Sequence, residues 1–132
     1  MPADYLKKEI LEGRSMAIIY NNPNFYSSSI VGGIIPIALG VSLSYKKMKN
    51  NDTHVWCFIG DMTYETGIFW EAYKMSKNFD LPITFIIEDN GKSVTTDTFL
   101  SWNGKMKPLD GVIYYSYKSQ YPHHGTGKWV NF

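Results

Sequence analysis

The chain has 132 residues, a net charge of +1 at pH 7 and a hydrophobic share of 44%. This length fits one domain with an ordinary core, and the hydrophobic share excludes a chain that is disordered throughout. A net charge near zero argues against nucleic acid and membrane surfaces as partners. The single cysteine, Cys57, excludes a disulfide framework and favours a reducing compartment. We therefore expect a cytoplasmic protein without a membrane span.

The first third of the chain predicts two helices. Residues 4–13 place three apolar side chains on one helical face. A polar loop over residues 20–29 follows. Residues 33–47 are apolar nearly all round, hold Pro36 in their first turn and end on lysines, which is typical of a buried helix. Because this helix indicates more apolar surface than a monomer covers, we expect at least a dimer.

The centre of the chain predicts a strand, a helix and a second strand. Residues 54–59 and 83–88 are continuous apolar runs, and residues 66–78 repeat apolar side chains at helical spacing. This order is typical of a right-handed parallel unit. The expected fold class is therefore α/β, with an open parallel sheet and helices on both of its faces.

The last third of the chain, residues 98–132, is rich in Tyr, Trp, Gly and Lys. Residues 112–117 predict one further strand, and the remainder has no clear periodicity. His123 and His124 invite a metal or acid–base hypothesis. Adjacent histidines in a strand point to opposite faces, so we favour a plain loop or an interface for them.

Polar side chains follow both central strands directly. Asp61 comes after the first strand and Asn90 after the second. The carboxyl ends of parallel neighbours meet at one edge, which is where open α/β sheets bind ligands. Carboxylate and amide oxygens suit a magnesium or calcium ion that carries a phosphate. Two simpler interpretations stay open here: Asp61 as a helix cap and Asn90 as a turn residue.

Around these two residues the chain resembles thiamine-diphosphate-dependent enzymes. Residues 60–62, Gly-Asp-Met, and residues 89–90, Asp-Asn, are similar to the Gly-Asp-Gly and the later Asn-Asn or Asp-Asn of that family. The flanking segments look most like the alpha subunit of 2-oxo acid dehydrogenases, with transketolases close behind. The firm resemblance covers residues 28–97, and residues 1–132 would form a single short diphosphate-binding domain.

The resemblance implies a site for Mg²⁺ and the diphosphate of thiamine diphosphate. Asp61 would bind Mg²⁺ through its carboxylate, Asn90 through its amide oxygen and Lys92 through its backbone carbonyl. Diphosphate oxygens and a water would complete the octahedron that magnesium prefers. The other cofactor-binding positions that the resemblance implies are Ser29, Val31, Gly60, Met62 and Thr63.

The chain departs from the family pattern in two respects. Met62 replaces the second glycine, and methionine would weaken binding if the position needed a positive φ or a close approach of the diphosphate. An upstream Tyr-Arg pair and the C-terminal elements of alpha subunits also have no counterpart here, so we expect these parts to be missing or replaced.

The family holds its cofactor between two domains, and the second domain supplies the glutamate that protonates the cofactor ring. No segment of this chain resembles that domain. The resemblance therefore implies a pyrimidine-binding domain on another chain, in a homo- or hetero-oligomer, and no turnover by this chain alone. Two alternatives stay open: a catalytically inactive remnant that binds a partner or a phosphate, and an unrelated Mg-nucleotide-binding α/β module.

Overall fold

The protein is described by a computed structural model that covers residues 2–14, 16–21, 24–50 and 52–118. Its helices and strands, in chain order, are α1 (Ala3–Leu11), β1 (Ile19–Asn21), β2 (Asn24–Tyr26), α2 (Ile34–Lys47), β3 (Val55–Gly60), α3 (Asp61–Tyr64), α4 (Gly67–Asn78), β4 (Ile83–Asp89), β5 (Lys92–Ser93), β6 (Thr96–Asp97), α5 (Thr98–Trp102) and β7 (Ile113–Ser116). The expected helices at 33–47 and 66–78 and the three expected strands are all present.

A three-stranded parallel sheet forms the centre of the fold, in the order β3-β4-β7. The central strand, β4, pairs with β3 from Val55↔Ile83 to Gly60↔Glu88 and with β7 on its other side. Two small antiparallel hairpins, β1–β2 and β5–β6, lie outside this sheet. The expected α/β class, a parallel sheet flanked by helices, is confirmed.

The core lies between one face of the sheet and the helices α2 and α4. Strand residues alternate between the two faces of a sheet, so one face collects the buried side chains of β3 and β4. The buried residues of this core are Ile35, Ala38, Cys57, Ile59, Tyr64, Phe69, Ala72, Phe85 and Ile87. Burial of a large aromatic or branched side chain stabilises a fold by roughly 1.5–3 kcal/mol, so this layer fixes the position of both strand ends.

The opposite face of the sheet carries large side chains that remain exposed. Trp56 and Phe58 on β3 keep 57% and 55% of their surface accessible, and Ile113 and Tyr115 on β7 keep 47% and 43%. The described part of the chain therefore leaves this face largely to solvent.

The segment before α2 differs from the expected pattern. The apolar face of α1 is exposed at Leu6, Ile10 and Leu11, whereas Glu9 is 7% exposed and pairs with Arg14 at 2.6 Å. Part of the expected polar loop forms the hairpin β1–β2. In the described residues, no helix is long and apolar enough to cross a membrane.

The Cys57 thiol provides a chemical test of the core. It is 2% exposed, and burial raises its pKa to about 12. The thiolate is the form that reacts with iodoacetamide, so native Cys57 should be labelled almost entirely through the small fraction of molecules that is unfolded. At pH 8 we therefore expect the native protein to be labelled roughly a thousandfold more slowly than the unfolded chain. Mass spectrometry over time measures both rates. Labelling of the native protein at the rate of the unfolded chain would show that Cys57 is not buried in the core.

Candidate functional site

The site lies at the carboxyl edge of the central sheet. Gly60, the last residue of β3, is in register with Glu88 near the end of β4. Asp61 and Asn90 therefore leave neighbouring parallel strands at the same edge, as expected. The helix α3, which begins at Asp61, also lies against β5, which begins at Lys92. The structure thus brings the three expected metal-binding residues to one place.

The Asp61 carboxylate is buried without a hydrogen-bond partner. The residue is 2% exposed, and neither carboxylate oxygen accepts a hydrogen bond. The start of α3 has no side-chain cap, which excludes the interpretation of Asp61 as a helix cap. Because a buried carboxylate that accepts no hydrogen bond is unfavourable, Asp61 is a candidate ligand for a cation.

Asn90 has a role in its own turn. Its amide oxygen accepts a hydrogen bond from the Lys92 N–H at 3.0 Å, as in an Asx-type turn. The turn interpretation is therefore right for this side chain. It does not exclude metal binding, because an amide oxygen carries two lone pairs. Gly91, between them, has φ +77°, a conformation that glycine adopts without strain.

Asp89 is a site residue to which the sequence analysis gave no role. Its carboxylate accepts hydrogen bonds from Lys105 at 2.6 Å, Tyr114 at 2.8 Å, Ser116 at 3.0 Å and the Gly91 N–H at 2.9 Å. Burial tends to raise the pKa of this carboxyl, but the hydrogen bonds outweigh burial and lower the pKa to about 2. Asp89 is thus a fixed negative charge beside Asn90, and its adjacency to Asn90 was the only sequence signal for it.

Lys105 reaches the site through the segment 105–109, which α3 holds in place. The Met106 N–H donates to Glu65 at 2.8 Å. The buried Tyr64 hydroxyl donates to the Lys107 carbonyl at 3.0 Å and accepts from the Leu109 N–H at 3.2 Å. These three hydrogen bonds fasten the segment to Tyr64 and Glu65, and the Lys105–Asp89 ion pair fastens it to the end of β4. No local sequence pattern points to Lys105, because these partners lie far away in the chain.

Comparison with known proteins agrees with the family resemblance found in the sequence. Residues 3–107 match the family of the dehydrogenase E1 component. The chain is 39% identical over 97 residues to a pyruvate dehydrogenase E1 component subunit alpha of Rickettsia conorii, covering 67% of this chain and 28% of that protein. A Zymomonas mobilis protein of the same name is 30% identical over 86 residues, covering 64% of this chain and 24% of that protein.

A mammalian relative matches a shorter stretch. The testis-specific, mitochondrial form of the pyruvate dehydrogenase E1 component subunit alpha of Rattus norvegicus is 40% identical over 68 residues, covering 51% of this chain and 17% of that protein. The chain belongs to the dehydrogenase E1 component family. The resemblance to thiamine-diphosphate-dependent enzymes, alpha-subunit type, is thereby confirmed. The chain spans only 17–28% of the length of these relatives.

Met62, the departure from the E1-like motif, has an ordinary conformation. It lies inside α3 and so has right-handed helical backbone angles, which means that this position does not need a positive φ. Its sulfur accepts a hydrogen bond from the Trp102 indole N–H at 3.2 Å. The conformational objection to methionine at this position therefore does not hold.

The remaining expected positions surround α3. Gly60 is extended, and a Cβ atom there would meet nothing within 4 Å, which leaves space for a ligand. Thr63 is buried beside Gly32, the residue after Val31. Ser29 and Val31 lie in the turn before α2 and are exposed. They lie near the site, at the surface of the described chain.

Thr98 is a second residue that the sequence analysis did not identify. It is fully buried, and its hydroxyl has no hydrogen-bond partner, although its N–H donates to the Gly91 carbonyl at 3.0 Å. It lies directly behind the turn that carries Asn90 and Lys92. Asp61 and Thr98 are thus two unsatisfied buried side chains at the same edge.

The chemistry of these donors fits a hard cation shared with a ligand. Within the described ranges, no three or more His, Cys, Asp or Glu side chains form a group suited to a metal ion. At this edge the described residues offer the Asp61 carboxylate, an amide oxygen and backbone carbonyls, and Mg²⁺ bound there would take further oxygens from a phosphate. His123 and His124 lie outside the described residues.

Replacement of Asp89 tests the charge network. Asp89→Asn keeps the shape but removes the charge that holds Lys105, and we expect a loss of about 2 kcal/mol in the free energy of unfolding. Urea titration measures it. Asp80→Asn is the matched control, because Asp80 pairs with Lys46 at 2.9 Å but its side chain is exposed to solvent. This variant should leave the midpoint of urea unfolding nearly unchanged. Equal midpoints for the two variants would contradict the prediction.

The same variant has a pH signature in the metal-free protein. Because folding lowers the Asp89 pKa from 3.8 to about 2, its stabilisation is complete above the unfolded value and is lost as the pH falls through the folded value. The stability difference between wild type and Asp89→Asn should therefore shrink between pH 4 and pH 2. A difference that stays constant over this range would show that Asp89 does not titrate as described.

Proposed function

We propose that this chain binds Mg²⁺ and the diphosphate of thiamine diphosphate as one half of the active site of a thiamine-diphosphate-dependent 2-oxo acid dehydrogenase component. The observation that carries the proposal is the buried Asp61 carboxylate at the sheet edge, whose oxygens accept no hydrogen bond. Membership of the E1 family supports thiamine diphosphate as the cofactor.

The residues at this edge have distinct proposed roles. Asp61, Asn90 and the Lys92 carbonyl would hold the metal ion. Gly60 leaves the space in which the diphosphate approaches, and backbone groups of Met62 and Thr63 would contact it. When bound, the cofactor supplies a carbanion for bond cleavage beside the carbonyl of a 2-oxo acid. The chain's own residues position the ion and the diphosphate and exclude water from the Asp61 side.

The proposal includes a pyrimidine-binding domain on another chain. Ser29 and Val31, which would contact the aminopyrimidine end of the cofactor, are exposed at the surface of the described chain. A cofactor seated on them would extend outward from this domain, so a partner would have to cover its far end. We therefore propose that the chain works in a homo- or hetero-oligomer and has no turnover alone.

Calorimetry with thiamine diphosphate and Mg²⁺ tests the cofactor role. We expect Mg²⁺-dependent binding by the wild type, and a loss of about 100-fold or more in affinity for Asp61→Ala, because a divalent ion then loses its buried charged ligand. Asn90→Ala should weaken binding in the same direction. Asp52→Ala is the control, since Asp52 is exposed before β3 at the other end of the sheet.

The possible results separate the three functions. No binding by the wild type, even with a candidate partner chain present, would overturn the cofactor role. Binding that is lost in both site variants, with turnover only after a partner is added, would support it. Binding without turnover in any assembly would favour an inactive binding module. Binding of a magnesium nucleotide in place of thiamine diphosphate would favour the nucleotide-binding alternative.

A further inference from the structure

Lys105 lies between the two buried carboxylates of the site. Its Nζ is 2.6 Å from Asp89 Oδ1 and 3.9 Å from Asp61 Oδ2. The first contact is a hydrogen-bonded ion pair, and the second is beyond hydrogen-bond reach. The ammonium therefore pairs with Asp89 and lies beside Asp61 without satisfying either of its oxygens.

The ammonium also lies close to the turn that carries the other expected metal ligands. A Cβ atom built on Gly91 would lie 3.9 Å from Lys105 Nζ, so the charge is near the backbone between Asn90 and Lys92. The side chain of Lys105 is only 28% exposed. The positive charge of Lys105 therefore lies beside the residues that would bind a metal ion.

The balance of charge shows what this arrangement favours. Asp61 and Asp89 contribute two negative charges and Lys105 one positive charge, so the group carries one net negative charge. A free Mg²⁺ ion would reverse that charge and would be repelled by the ammonium at short range. An Mg²⁺ ion that arrives with a diphosphate brings compensating negative charge, which the same ammonium attracts.

We propose that Lys105 is a specificity-determining residue, which makes the site bind Mg²⁺ together with a diphosphate and discriminate against the free ion. This inference rests on the proposed function and identifies the residue that sets the preference of the site for Mg²⁺ with a diphosphate over free Mg²⁺. The sequence around Asp61 and Asn90 accounts for the ligands, whereas Lys105 sets this preference.

A purely structural role for Lys105 makes a different prediction. If Lys105 only fastens the segment 105–109 to Asp89, its loss would loosen the site and weaken every ligand alike. An electrostatic role changes the two affinities in opposite directions. The sign of each change therefore separates the two roles.

The test uses calorimetry on the full chain with two probes, MgCl₂ alone and inorganic diphosphate in excess Mg²⁺. Lys105→Gln removes the charge and keeps a donor for Asp89. We expect it to bind Mg²⁺ alone about tenfold more tightly and inorganic diphosphate about tenfold more weakly than the wild type. Lys105→Arg, which keeps the charge, should bind the two probes with the same order of affinity as the wild type.

Two further variants control for damage to the fold. Lys107→Met removes a neighbouring exposed charge, and both affinities should stay within about twofold of the wild type because solvent and salt screen that charge. Lys105→Met is measured in parallel with Lys105→Gln, so that the result does not depend on one variant folding. Thermal melting of each metal-free variant identifies any that is unfolded.

The outcomes are distinct for the two proposals. Parallel weakening of both probes, or an unchanged affinity for Mg²⁺ alone, overturns the role of Lys105 and leaves the proposed function standing. Mg²⁺ binding by Lys105→Gln where the wild type binds none supports the role of Lys105. Failure of both the wild type and Lys105→Gln to bind Mg²⁺ with or without diphosphate, even with a candidate partner chain present, overturns both proposals.

Discussion

The buried charge at the sheet edge is the constraint on which the rest of the site depends. Two carboxylates, Asp61 and Asp89, lie almost fully out of solvent, and one ammonium, that of Lys105, lies between them. Asp89 is satisfied by four donors and Asp61 by none. A buried carboxylate that accepts no hydrogen bond is unfavourable unless a further cation completes the site. Under the proposed function, the stability of the metal-free protein and metal binding therefore oppose each other at Asp61.

The residues around this buried charge lie on short helices and strands, which pack against the hydrophobic core. The core aromatic residues of α3 and α4, Tyr64 and Phe69, contact each other at a ring distance of 4.6 Å and anchor both elements. The ring of Tyr64 packs in the core. Its hydroxyl is hydrogen-bonded to the segment 105–109, which contains Lys105. One side chain thus connects hydrophobic packing with the electrostatics of the edge, and the position of Lys105 depends on the packing of α3.

The sequence predicted what depends on neighbouring elements and missed what depends on distant contacts. Asp61 and Asn90 were placed at one edge because a strand, a helix and a parallel strand return the chain there. Lys105 was missed, because hydrogen bonds to Tyr64 and Glu65, about 40 residues earlier, bring it into place and leave no periodic pattern. The concern about Met62 had two parts, and the one-turn helix α3 removes the part about backbone conformation. The part about a close approach of the diphosphate stays a prediction.

The position of Lys105 beside Asp61 also has a dynamic consequence. Asp61 is 2% exposed, and Lys105, the first residue of the segment 105–109, has its ammonium 3.9 Å from the Asp61 carboxylate. Segments without regular secondary structure open locally at a lower free energy than a sheet. Opening of this segment would move the ammonium of Lys105 away from Asp61, and both hydrogen bonds of the Tyr64 hydroxyl oppose that opening. The charge beside Asp61 therefore depends in part on a phenol that forms no hydrogen bond to that carboxylate.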